Sequence, residues 1–256
     1  MNLYFKRRLL VIPAVLALGF CFYQANYETP ILMYHRVGSD SGEAPSTIVS
    51  TRTFQRQMEF LKIHNYNVIS LLDYADLLRS GRKIPFNTIV VTFDDGTLDN
   101  FKNAFPVLKK MHFKATIFMI TGNIGKESWL SEEDLKILEA AGILIGSHTV
   151  HHAFLPKLSF EQMLFELQES RNRLEKILGH PVFLFSYPAG GVTEVSKHLA
   201  KNSGYQCAVT TNYGTSKSDV MALHRIKIGE SSGSLVTFWI KTSGLYHLGK
   251  KRIEVK

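Results

Sequence analysis

The chain has 256 residues, 45% of them hydrophobic and 20% charged, with a formal net charge of +8. The composition is that of a globular protein, and the length allows a sizeable core without demanding two domains, since α/β barrels of this size fold as one unit. The basic residues are scattered and no run interleaves them with aromatics, so nucleic acid is not an expected partner, whereas the positive balance suits an anionic surface such as phospholipid or cell-wall polymer. Taken in chain order, the first element is an apolar run from Leu9 to Tyr23 preceded by Lys6, Arg7 and Arg8, which reads as a signal peptide or membrane anchor over residues 1–26. Its length, interrupted by Pro13, falls short of the roughly 20 residues that a spanning helix prefers, while the exit "CFYQANY" lacks a clean pair of small residues for cleavage. The expectation is an exported chain, periplasmic or extracellular, left tethered or released, with one domain over 29–256. The two cysteines, Cys21 and Cys207, provide no disulfide framework.

From residue 29 onward short apolar strands alternate with amphipathic helical stretches, and no repeat or low-complexity linker divides them. The strand candidates are 31–35, 67–70, 88–93, 115–120, 143–148, 183–188, 207–211 and 224–228. Among the helices between them, "TFQRQMEFLKIHN" puts Phe54, Met58 and Leu61 on one face. "SEEDLKILEAAG" starts on an N-cap, Ser131, and stops at Gly142. The stretch 158–178 spaces Met163, Leu164, Leu167, Leu174 and Leu178 as a core stripe. Roughly eight strands, each followed by a helix or long loop, predict a parallel α/β fold, and the count suits a closed (β/α) barrel better than an open sheet. No G-x-G-x-x-G follows a strand, so a dinucleotide site has no support.

Barrel chemistry gathers at the C-terminal ends of the strands. There, "IVVTFDDG" ends a buried strand in Asp94 and Asp95, with Gly96 permitting the turn. Neighbouring strand residues face opposite ways, so the two acids are expected to do different jobs, and a carboxylate against a core needs a partner from elsewhere in the chain. "GSHTVHH" ends another strand with His148, His151 and His152. If the chain turns helical there, His148 and His152 share one face, and two imidazoles with one carboxylate make an open divalent-metal site. His35 closes the first strand, and Tyr187, Pro188 and Gly190 follow another.

At these residues the chain resembles the polysaccharide deacetylase family, the NodB-like carbohydrate esterases. "TFDDG" at 92–96 matches the first family motif, "HTVHH" at 148–152 the second, and "SYPAG" at 186–190 part of the third, with "PILMYHRV" and "LHRI" completing a likeness that spans nearly everything beyond residue 29. The opening "MYH" and the "YPxG" pattern look most like the branch of biofilm poly-N-acetylglucosamine deacetylases. The resemblance implies a distorted (β/α) barrel of seven or eight strands. It implies Asp94 as general base, Asp95, His148 and His152 as ligands of a divalent metal, and Tyr187, Pro188 and Gly190 at the substrate. His35, with His224 as the other candidate, would be the acid. Ser186 stands where the family usually has an arginine against the base, and no counterpart of the late aspartate and tryptophan is present. The metal would be Zn2+, with Co2+, Ni2+ or Fe2+ also suited to such ligands. The implied activity is removal of N-acetyl groups from an amino-sugar polysaccharide of the envelope or matrix, such as poly-N-acetylglucosamine, peptidoglycan or a chitin-like chain. A catalytically inactive carbohydrate-binding protein and an O-acetyl esterase are the alternatives.

Overall fold

The computed structural model describes residues 15–24, 26–38, 46–211 and 219–248. The basic cluster 6–8 and the first part of the apolar run lie outside the described residues. Helix α1 (residues 15–24) leads to β1 (Ile31–Tyr34), β2 (Arg36–Val37), β3 (Ile48–Val49), α2 (Thr51–Ile63), β4 (Asn67–Ile69), α3 (Leu71–Arg79) and β5 (Thr88–Phe93). After a π-helical turn, Asn100–Ala104, come α4 (Phe105–Met111), β6 (Thr116–Met119), α5 (Glu132–Ala140), β7 (Leu144–Ser147), α6 (Phe160–Leu178) and β8 (Leu184–Ser186). The chain then runs through α7 (Glu194–Asn202), β9 (Cys207–Val209), β10 (Ile226–Lys227) and α8 (Leu235–Thr242).

Eight strands make one parallel sheet in the order β10-β1-β5-β6-β7-β8-β9, with β4 paired to the first half of β5. Every predicted strand is found, β5 with the predicted bounds and the others trimmed by one or two residues at one or both ends. The sheet curls into the expected distorted barrel, closed by the segment between its edges: Leu223 bridges Val209 beside β9, and Ile226 pairs with Leu32 of β1. The short parallel pair of β2 and β3 has no sequence signal, being two residues a side. All six residues of β5 are buried because helices cover its outer face and side chains fill the inner one, which is why it reads as an unbroken apolar run rather than an alternation.

The helices start and stop where their caps stand. Ser50 caps α2, Ser131 and Asp134 form a capping box on α5, Ser159 and Gln162 form another on α6, and Gly179 ends α6 in the left-handed conformation. Phe54, Met58 and Leu61 of α2 and Leu167 and Leu174 of α6 are fully buried, each worth about 1.5–3 kcal/mol of apolar transfer. Among the described residues no helix is long and apolar enough to cross a membrane.

Candidate active site

The partner that a buried Asp94 requires comes from the far edge of the sheet. Arg225, just ahead of β10, forks onto it with Nη1 donating to Oδ1 and Nη2 to Oδ2, both at 2.6 Å. Both side chains are withdrawn from solvent, at 0% and 1% exposure. The guanidinium is saturated by further bonds to the Thr92 hydroxyl, the Ser186 hydroxyl and the Thr210 carbonyl. Thr92 and Asp94 meet the same arginine because residues two apart share a face. Burial by itself would raise the Asp94 pKa, but the Arg225 charge and its hydrogen bonds outweigh that and hold the carboxyl well below the usual range. Arg225 is the functional residue that motif reading missed. The arginine absent from position 186 is supplied across the barrel, and Ser186 accepts a bond from it. A charge inside the strand candidate 224–228 was the signal, since a cation among apolar residues needs a partner.

Asp95 faces the other way, for a reason other than strand alternation. β5 ends at Phe93, and Asp95 sits in the left-handed region at φ 73. The turn requires glycine at 96, where φ is 79 and an added Cβ would come within 2.2 Å of Met119 Sδ. This turn brings Asp95 Oδ1 to 3.6 Å from His148 Nε2 and 3.7 Å from His152 Nε2. The donor atoms of the three residues lie within 4.8 Å of one another.

The histidine pair is not helical, contrary to the spacing argument. Residues 148–152 form a turn in which Thr149 and His152 both have positive φ, 64 and 56, and this folds the two rings to 4.9 Å between centroids. A β-branched threonine in that region is strained and needs outside support. Support comes from the neighbouring strand end, where Thr121 and Gly122 donate to the carbonyls of Thr149 and Val150, and from Glu166 of α6. The buried Glu166 carboxylate accepts the amides of Val150 and His151, at 2.8 and 3.1 Å, and pairs with His151 Nδ1 at 2.7 Å. His151 is thereby turned away from the other two histidines. His148 Nδ1 donates to the Ser186 carbonyl at 2.8 Å, which leaves the Nε2 lone pair on the side of Asp95. Burial holds His148 neutral, its pKa lowered to about 4, and lowers that of His152 as well. Two neutral imidazoles and a carboxylate, with the first ring oriented from behind, are a donor set that fits a divalent ion.

The other predicted residues gather at the same end of the barrel. His35 follows β1, is half-buried, and has Asp94, Arg225, Lys227 and His152 as its electrostatic neighbours; its Nδ1 is withdrawn from solvent with no hydrogen-bond partner. Burial is the largest influence on it and lowers its pKa to about 4, so the ring is neutral at neutral pH. His224 is buried next to Arg225. Tyr187 lies in the core with its ring edge-on to Phe185, so the ring itself presents no open surface. Its N–H is donated to Val209 and Pro188 has none, so the first amide beyond it is that of the exposed Ala189, at φ 50. Gly190 has φ 70 and rests against Thr211.

At the strand ends of a parallel barrel, an arginine-clamped carboxylate thus stands beside a two-histidine, one-aspartate cluster whose donor atoms could hold a metal ion. Residues 81–208 match the family described as polysaccharide deacetylase. YxkH of Bacillus subtilis, provisionally named a polysaccharide deacetylase, is 35% identical over 84% of this chain and 77% of its own. The poly-beta-1,6-N-acetyl-D-glucosamine N-deacetylase of Staphylococcus aureus is 26% identical over 78% of this chain and 79% of its own. The solved structure of the Streptococcus pyogenes deacetylase PplD in complex with acetate superposes with a TM-score of 0.76 at 29% identity, covering 82% of this chain and 97% of that one. The chain belongs to the polysaccharide deacetylase family.

Proposed function

We propose that the protein is an exported, metal-dependent enzyme that hydrolyses N-acetyl groups of an amino-sugar polysaccharide of the envelope or matrix. The observation that carries this reading is the cluster of Asp95, His148 and His152 beside the buried pair of Asp94 and Arg225. The S. aureus relative, named for an N-acetylated glucosamine polymer, supports an amide rather than an ester as the scissile bond. The apolar run behind Lys6, Arg7 and Arg8 supports export.

Asp95, His148 and His152 would hold the ion, Zn2+ first, with Co2+, Ni2+ or Fe2+ also compatible. When bound, it supplies Lewis acidity that lowers the pKa of water and polarises an acetyl carbonyl. Asp94 is kept ionised by Arg225 and accepts the proton of the attacking water. As the new C–O bond forms and the C–N bond breaks, the leaving amine needs a proton. His35, neutral at rest, takes up the proton that Asp94 received from the water and passes it to the amine nitrogen, which returns Asp94 to its ionised state. Acetate and a free amino sugar result.

The test is acetate release by the purified chain from β-1,6- and β-1,4-linked N-acetylglucosamine oligomers and from peptidoglycan, beside an O-acetylated sugar ester, with and without chelator. Release from an amino-sugar substrate, lost on chelation and restored by metal, is expected. Release from the ester alone, or binding of oligomers with no release under any metal, would overturn the reading.

A further inference from the structure

Helix α8 carries an apolar stripe that the fold does not use. Phe238 and Thr242 are buried against the barrel, while Val236, Trp239 and Ile240, spaced as one face of the helix, are 66%, 55% and 47% exposed. Helix α1 is similarly bare, with Val15, Leu16, Leu18, Phe20 and Phe22 exposed. The two helices meet. Tyr23 at the end of α1 donates its hydroxyl to the carbonyl of Ser243, the C-cap of α8, and the amide of Glu28 donates to Gly244. Phe20, Tyr23, Tyr27 and Phe86 form a chain of ring contacts at the same place. This corner lies at the end of β5 remote from the site, because Tyr27 bonds to the carbonyl of Thr88, the first residue of that strand.

Charge identifies the occupant. The first acid in the chain is Glu28, so residues 1–27 carry Lys6, Arg7 and Arg8 with no counter-charge. Residues 231–253 likewise carry Lys241, Lys250, Lys251 and Arg252 and no acid. Arg82 and Lys83, exposed beside Phe86, add two more cations. An apolar face set with Trp and Tyr, with Arg82 and Lys83 beside it, its acid Glu28 buried against His247, and flanking sequence whose charges are cationic, matches the interface of an anionic bilayer.

We propose that α1 and α8 together form a docking surface for an anionic phospholipid membrane, lying in the interface rather than spanning it. The barrel then stands on the bilayer with β5 between lipid and site. Six residues at about 3.3 Å each raise the site roughly 20 Å above that corner, turned toward polymer outside the membrane.

Trp239 reports on this directly. The full chain carrying Trp129→Phe, which leaves one tryptophan, is mixed with vesicles of phosphatidylcholine and phosphatidylglycerol, with or without brominated acyl chains. The expected result is a blue shift of Trp239 emission, loss of most of that emission to the brominated lipid, and protection from aqueous acrylamide. Ile240→Asp in the same background should reduce the quenching while acetate release in solution stays unchanged. Emission indifferent to bromine overturns the proposal even if α1 carries the chain to the vesicles. Equal quenching in pure phosphatidylcholine overturns the anionic assignment. Protection of Trp239 without vesicles, together with a doubled mass in solution, would assign the face to a second copy of the chain instead.

Discussion

Replacing Arg225 by Met leaves the buried Asp94 carboxylate ionised without its bidentate partner, facing only the neutral ring of His148 at 4.0 Å. Removal of one member of a buried pair costs about 3–5 kcal/mol. The lost bonds to Thr92, Ser186 and Thr210 add at most about 1 kcal/mol each. A loss of roughly 3–8 kcal/mol at pH 7 follows, a large share of the stability of a typical domain. The pH dependence separates charge from packing. In the native chain the Asp94 pKa is depressed below its ordinary value of 3.8, so its contribution is fully present above that pH and is lost as pH falls through the folded pKa. In Arg225→Met the burial of Asp94 is no longer outweighed by the guanidinium, so its pKa rises and the penalty is relieved as pH falls through it. Urea unfolding at pH 7 and at pH 4.5 should therefore show a gap between variant and native chain that narrows at the lower pH. The double variant Asp94→Asn/Arg225→Met should recover much of the loss, because no buried charge is left unpaired. A gap of the same size at both pH values, with no recovery in the double variant, would refute the ion-pair argument and leave only lost packing.

The two acids are expected to divide their roles. Asp94→Asn should lose about two to four orders of magnitude in turnover while keeping its metal, whereas Asp95→Asn should bind metal weakly and recover activity at high metal concentration; metal titration beside acetate-release kinetics checks both. His148→Ala and His152→Ala should lose metal on dialysis, whereas His151→Ala should retain most of it because that ring is held by Glu166 and not by the cluster. Glu166→Gln should lower metal affinity by about 10–100-fold, as loss of a group that orients ligands does, measured by competition with a chromophoric chelator; unchanged affinity would mean that the strained turn holds itself.

All eight strands of the main sheet, the capped helices, and the identities of Asp94, Asp95, His148 and His152 were legible in the sequence. Apolar periodicity, cap residues and closely spaced motifs are local, and their energetics are settled within a few residues of chain. That the adjacent acids face different partners was also readable, but the backbone geometry behind it was not. The left-handed turn at Asp95 and the folded histidine loop replace the strand alternation and the helical turn that spacing suggested, because strained backbone persists only where neighbours over-determine it. Those neighbours, the 121–122 strand end and Glu166, lie 15 to 28 residues away in the chain. The partner of Asp94 shows the same division most clearly. Burying a carboxylate demanded a cation, but which one depended on barrel closure bringing the end of β5 against Arg225, 131 residues further on. Sequence determined that the charge had to be answered, and only the tertiary structure, through the closure of the sheet, decided which residue answers it.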